Sequence, residues 1–403
     1  MKQVHYYEPV TPGEKPLARM GIALRIIRAP ARLILRYFMR LTVSGAEHFP
    51  QSGPALVLAN HVNFFDPVLL ILASGRPIQF LATRALLRAG PMGLLLKLFG
   101  IIPKKKFTAD PTAIKTLKRW RDLDGAVGLF PEGERSWDGR PLPLVPGIEK
   151  LVRLVDAPVV TARILNGDRQ WPRWAPHSRR GRVHVAFDPP RAFPRGTPLK
   201  EIRAYVEERI RVDTRETEHW EVRGQDLAVG ATLVLFACPA CGALEGLSER
   251  GDRLECGACE SRWRLSAAKR LLPESTNGAE AMDLIEALDR MEAHLGPEWV
   301  EDPARAEAEG VLLESRPLAI HDITGSESSL VAEGRLRLTR EALEIPGIWS
   351  LPLASLRVAS VEMTDQLQLR TREHLFEVEF SDGESPIKWL KFVTRQQERA
   401  REG

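Results

Sequence analysis

The sequence predicts an α/β domain built on a largely parallel sheet, then a small cysteine-bearing module, then a mostly-β C-terminal domain. Three observations predict this. From 55 to about 190, short apolar runs that read as strands alternate with helical segments. Four cysteines fall in two close pairs between 238 and 259, and from 316 to 396 apolar and polar residues alternate at period two between turn residues. A chain of 403 residues has room for two or three such domains.

The elements follow in order. The first twenty residues lack the apolar core of a secretory signal, so neither cleavage nor export is expected. Residues 17–42 form a sided helix at 100° per residue: Arg25, Arg28, Arg32 and Arg36 share one arc, and Ile22, Ile26, Ile27, Leu33, Ile34, Tyr37 and Phe38 fill the opposite side. Pro30 should break or kink it. An apolar face edged by arginine suits a membrane interface; a helix packed on its own domain fits the same pattern. No run of eighteen apolar residues occurs, so no spanning helix is expected.

The strand runs are ALVLAN, PIQFLAT, GAVGLF, APVVTARIL and RVHVAF, with helices near 67–74, 84–99, 110–123 and 145–155 and a closing helix at 201–216. The very apolar stretch 85–103 is either a second lipid-facing surface or a buried helix. Residues 278–310, rich in Ala and Glu, read as helical. The runs GRLRLTREALEI, SLRVASVEM, DQLQLRT, HLFEVEF and IKWLKFV read as antiparallel strands, with turns at IPGIW and SDGES and a last run that can close as a helix. The net charge of +4 is a mild bias that suits an anionic surface or substrate and does not argue for nucleic acid.

Two stretches carry the chemistry. In LANHVNFFDP, an apolar run ends on His61 and an acid, Asp66, follows five residues later. On one helix these side chains would lie about 140° apart. A strand-to-helix turn solves this, with Asp66 as N-cap and Pro67 as first helical residue folding the carboxylate back to the imidazole. In GLFPEGERSWDG, 128–139, another apolar strand ends in a charged, glycine-containing turn. Parallel strands share one C-terminal edge, where His61, Asp66, Glu132 and Arg135 can converge.

Through these residues the chain resembles the glycerolipid acyltransferase family, whose best-known members are 1-acylglycerol-3-phosphate acyltransferases. NHVNFFDP matches its N-H-x4-D block with Asn63 where serine is common, and FPEGERS matches its F-P-E-G-x-R-S block. The likeness covers roughly 40–215. Two further blocks depart from the pattern. Counted from Gly100, the usual arginine is Lys106, a point charge in place of a fork, and Thr161 stands where a second proline often follows Pro158.

The resemblance implies O-acyl transfer from acyl-CoA or acyl carrier protein to a lysophospholipid hydroxyl, with His61 as general base and Asp66 fixing its tautomer. It also implies that Lys106, Glu132, Gly133 and Arg135 bind the acceptor. Trp137 and Asp138 receive no role.

Cys238 and Cys241, then Cys256 and Cys259, give two C-x2-C knuckles fourteen residues apart, a spacing similar to zinc ribbons. Without a signal peptide this favours one structural zinc over disulfides. Basic and acidic residues are mixed around it, so a structural or protein-contact module is expected.

The resulting map is 1–44 amphipathic interface helices, 45–222 acyltransferase domain, 230–272 ribbon, 278–310 helical linker and 316–398 β-rich domain, vaguely like pleckstrin-homology or GRAM modules. The expected setting is the cytoplasmic face of a membrane, peripheral or monotopic, with protein partners for the C-terminal modules. The rival from another class is a membrane-associated adaptor with a decayed acyltransferase domain; a third is nucleic-acid binding through the ribbon.

Overall fold

The computed structural model describes residues 7–83, 94, 97–104, 110–217, 220–275, 279–296, 299–325, 328–380 and 383–402. Lys106 and most of the apolar stretch 85–103 lie outside them. The chain divides into two compact units, one of residues 1–173 with 177–224 and one of residues 174–176 with 225–403.

The first unit is built on a seven-stranded mixed sheet: β1 (Thr42–Ser44), β2 (Ala55–Ala59), β3 (Ile78–Thr83), β4 (Ile102–Lys104), β5 (Ala126–Leu129), β6 (Val159–Leu165) and β8 (His184–Phe187). Their order is β1-β8-β6-β2-β5-β3-β4, and every neighbour pair is parallel except β6 with β8. A two-residue β7 (Arg180–Gly181) pairs instead with β9 (Val222–Arg223). The central strands β2 and β5 are buried on both faces, which is why their sequences run continuously apolar instead of alternating.

One helix, α1 (Glu14–Phe38), runs through Pro30, where the sequence predicts a break or a kink; the break does not occur. Proline removes one backbone donor and costs about 3 kcal/mol in a helix interior. Met20 and Leu24 are buried, and Leu17, Ile27, Ala31 and Leu35 pack beside them against the sheet unit's two cores. Burying an aliphatic side chain contributes about 1.5–3 kcal/mol, so two outweigh the proline. Arg28 Nε adds a bond to the Leu72 carbonyl, 3.3 Å.

The apolar side of this helix is thus divided. One strip enters the core, while Ile22, Ile26, Leu33, Ile34, Tyr37 and Phe38 stand in solvent, Leu33 at 71% and Ile26 at 69% exposure. Among the described residues no helix is long and apolar enough to cross a membrane.

Further helices of this unit among the described residues are α2 (Asp66–Ser74), α3 (Pro111–Asp122), α4 (Ile148–Val155), the single turn α5 (Gly167–Gln170) and α6 (Leu199–Ile210). Asp110 caps α3 by accepting from Ala113 N at 2.9 Å.

The second unit holds a five-stranded antiparallel sheet, β10 (Leu247–Arg250), β11 (Arg253–Cys256), β12 (Arg262–Leu265), β13 (Arg270–Pro273) and β14 (Met282–Asp283). Helices α7 (Leu284–His294) and α8 (Pro303–Glu309) follow. A second sheet of seven strands has the order β18-β17-β16-β15-β21-β20-β19: β15 (Val311–Asp322), β16 (Ser329–Thr339), β17 (Ala342–Ile345), β18 (Trp349–Pro352), β19 (Val358–Glu362), β20 (Gln366–Arg370) and β21 (Leu375–Glu379).

The last helix, α9 (Pro386–Glu402), contains IKWLKFV, the last run, for which the alternation suggests a strand and the sequence also allows a closing helix. Trp389, Phe392, Val393 and Gln396 are buried at helical spacing, and Ser385 Oγ accepts from Lys388 N at 3.0 Å at the helix start. The Lys388 ammonium is 1% exposed and ion-paired with Glu245 beside the cysteines and with Glu384 at 3.5 Å. Phe392 meets Phe236 and Trp299 edge to face, Trp299 at 5.5 Å. Cysteine sheet, helices and seven-stranded sheet therefore form one body.

Candidate functional site

The two motifs leave neighbouring strands at the same edge, since β2 and β5 run parallel with Leu58 opposite Leu129. His61 follows β2 and Phe130 follows β5, so the first turn lies beside the second. Asp66 is the first residue of α2 and not its N-cap, a position held by Phe65 without a side-chain bond. The carboxylate instead folds backward: Asp66 Oδ2 accepts from His61 Nδ1 at 2.8 Å, Val62 N at 2.7 Å and Asn63 N at 2.8 Å. Asp66 is fully buried. A carboxylate so placed accepts from Nδ1–H, which leaves Nε2 as the ring's basic nitrogen.

The second motif grips the backbone of the first. Glu132 Oε2 accepts from His61 N at 2.9 Å, Glu132 Oε1 accepts from Leu142 N at 3.2 Å, and Ser136 N donates to the His61 carbonyl at 3.0 Å. The imidazole stacks on Phe130, centroids 4.0 Å apart, and Phe130 stacks on Phe80 at 5.3 Å. Gly128 makes that stack possible, because a Cβ there would lie 2.4 Å from the Phe80 ring.

Burial pushes the His61 pKa below its ordinary 6.5; the bond and charge of Asp66 act against this, and the cations Arg135 and Arg173 add to it. The ring is therefore neutral near pH 7. Burial pushes Glu132 the other way, up to about 7, against its two backbone donors.

Asn63, where the family pattern has serine, is buried and spans the gap to α5. Its Nδ2 donates to the Gly167 carbonyl and to Gln170 Oε1, both at 2.9 Å, and its Oδ1 accepts from Phe65 N at 2.9 Å. Asn60 ties β2 to β6 through Ile164 in both directions, 3.0 and 2.7 Å. Thr161, at the missing proline, is buried and donates to Asp188 at 2.8 Å. Gly133 occupies a left-handed conformation, φ 76°, where a Cβ would meet Val145 at 2.6 Å.

Trp137 and Asp138 acquire places the sequence did not reveal. Asp138 accepts from Arg140 N and Nε at 2.8 and 2.7 Å, closing the loop, while Trp137 lies under the Arg173 guanidinium, 3.9 Å from Cζ to ring centroid. Arg135 sits 5.7 Å above Phe64. Arg173 was missed altogether; it stands outside both motifs and carries no spacing signal.

In the second unit the four cysteines are reduced and their sulfurs all lie within 4.8 Å of one another. Cys238 and Cys259 are 3.7 Å apart and Cys241 and Cys256 3.8 Å. Four thiolates at about 2.3 Å from a tetrahedral ion lie about 3.8 Å from each other, so the donor set and its spacing fit such an ion.

The family model "Acyltransferase" matches residues 40–165. Human 1-acyl-sn-glycerol-3-phosphate acyltransferase alpha is 34% identical over 128 residues, 31% of this chain and 45% of that protein. The 1-acyl-sn-glycerol-3-phosphate acyltransferase of Borreliella burgdorferi is 28% identical over 107 residues, 25% of this chain and 41% of that one. The chain thus spans less than half the length of these curated relatives. The solved 1-acyl-sn-glycerophosphate (LPA) acyltransferase PlsC of Thermotoga maritima overlaps 48% of this chain and 77% of its own at TM-score 0.41 and 22% identity. The residues matched by the family model carry His61, Asp66, Glu132 and Arg135.

Proposed function

We propose that the chain moves an acyl group from a thioester, acyl-CoA or acyl carrier protein, to the hydroxyl of a 1-acylglycerol-3-phosphate-like lysophospholipid. The observation that carries this reading is the 2.8 Å bond from His61 Nδ1 to a buried carboxylate, in a ring whose pKa is lowered enough to be neutral. Nε2 takes the acceptor's proton as its oxygen attacks the thioester carbonyl. The tetrahedral adduct collapses with loss of the C–S bond, and the imidazolium returns the proton to the departing thiolate. Asp66 stabilises the imidazolium in between. No protein nucleophile enters the scheme.

Arg135 and Lys106 supply positive charge for the acceptor phosphate. Gly133 shapes the turn that presents Arg135, and Glu132 serves by holding His61. The exposed stripe of α1, edged by Arg25, Arg32 and Arg36, supports peripheral attachment to an anionic lipid surface, which this reading puts at the cytoplasmic face. Cys238, Cys241, Cys256 and Cys259 hold one zinc that stabilises its sheet and takes no part in transfer, since four thiolates leave no open position. The strand order of the second sheet and its closing helix support a PH- or GRAM-like module for protein contact.

The test is purified full-length protein with labelled acyl thioesters and a panel of lysolipids, read by lipid mass spectrometry beside His61→Ala. Transfer to a phosphate-bearing acceptor that is lost in the variant supports the reading. Absence of transfer to any acceptor overturns it in favour of an adaptor.

A further inference from the structure

Arg173 follows α5 and is 7% exposed. Its Nη1 donates to the Arg135 carbonyl at 2.7 Å and lies 3.5 Å from the Glu134 carboxylate, and its guanidinium covers the Trp137 ring. These contacts fall on both sides of Ser136. The Arg135 carbonyl and the Ser136 N–H belong to one peptide group, which is planar and rigid. Arg173 holds its oxygen end, and its N–H end holds the His61 carbonyl at 3.0 Å. A single stiff plate therefore connects a buried guanidinium to the backbone of the histidine, and the Arg135 Cα, which carries that side chain, is bonded directly to it.

We propose that Arg173 is a positioning residue that sets the placement of His61 and of Arg135 through the 135–136 peptide. Burying a guanidinium is costly unless its donors are used, and a planar fork stacked on an aromatic ring gives direction that an ammonium does not. Its charge also opposes protonation of the imidazole, which keeps the base in its working form. The inference rests on the acyl-transfer reading for its kinetic consequences and on geometry alone for its structural ones.

The experiment compares Arg173→Lys and Arg173→Met with wild type in the full chain. The readouts are melting, kcat and acceptor KM, the pH profile of kcat/KM, and NMR titration of the His61 imidazole. Arg173→Met should lower kcat about 10–100-fold, the scale of a small misplacement of a catalytic group, raise the acceptor KM, and move the acidic limb of the profile and the His61 titration to higher pH. Arg173→Lys should leave that limb near wild type, because the charge stays, while kcat remains at least about tenfold low because the stacked fork is gone. Where the methionine variant does not fold, the lysine variant carries the test. Wild-type kcat in a folded lysine variant, or an unmoved His61 titration in the methionine variant, overturns the proposal. A wild-type protein that transfers no acyl group defeats the functional reading, and the NMR titration still decides the positioning.

Discussion

Replacing Glu132 by Gln separates two roles for that residue. Its carboxylate gives one oxygen to His61 N and the other to Leu142 N, 2.9 and 3.2 Å, and it is nearly buried. Glutamine has one acceptor oxygen and one NH2, so either orientation sets a donor against a backbone N–H. Losing one hydrogen bond of a group that is neutral over much of this range costs about 0.5–1.5 kcal/mol, which lowers the melting temperature of a unit this size by about 1–6 °C. The pH dependence has a definite sign. Glu132 titrates at about 7 in the folded chain against an ordinary 4.5, so its stabilising contribution is full below about 4.5 and is lost as pH rises through 7. That interval corresponds to about 3 kcal/mol. Melts at pH 5 and pH 8 should therefore show the wild type ahead of Glu132→Gln by more at pH 5 than at pH 8. Steady-state kinetics at pH 7 should show kcat about 10–100-fold lower and the acceptor KM little changed. A raised KM with unchanged kcat and no pH-dependent gap would refute the clamp and make Glu132 a direct substrate contact.

Asp66→Asn removes the charge that fixes the imidazole tautomer and should lower kcat by about 10³–10⁴ in a protein that still folds, with some loss of melting temperature because three bonds lose their charged acceptor; stopped-time assays across pH check this, and near-wild-type turnover excludes the dyad. Replacing Ile26 and Leu33 by Ser should reduce cosedimentation with anionic phospholipid vesicles at least about tenfold, at roughly 1.5–3 kcal/mol for each apolar side chain withdrawn from lipid; unchanged binding removes α1 from the interface. Cys256→Ser should drop bound zinc from one per chain to none and broaden the melt of residues 225–403, since four-ligand sites contribute folding energy directly. Metal content measured by mass spectrometry decides it, and retention of a full equivalent contradicts the assignment.

Much of the α/β unit was legible because its central strands are short apolar runs closed by turns: ALVLAN, PIQFLAT, GAVGLF and APVVTARIL each contain a strand of the sheet. The neighbourhood of His61 and Asp66 was legible for the same reason, as both motifs end a strand on one edge. The hold of Glu132 and Ser136 on His61 was not, because backbone donors carry no sequence signature. Nor was Arg173, whose partners are a carbonyl, a carboxylate and a ring about forty residues away. Pro30 does not break α1, because the tertiary burial of Met20 and Leu24 overrides local propensity. IKWLKFV stays open between strand and closing helix because seven residues are too few to separate a period of two from 3.6.

The two-sided character of α1 has a mechanical consequence. Met20 and Leu24 root the helix in the same cores that carry β2, β3 and β5, and Ile26 and Leu33 face outward from the same rod. The buried strip and the outward stripe belong to one continuous helix. A bilayer that takes up the outward stripe would thereby dictate the heading of the β2–β5 edge as well, to within the rotation of one helix about its axis. The lipid surface would then act as a jig: an acceptor diffusing in its plane would meet His61 at a fixed height and angle, and the search for the site would be two-dimensional.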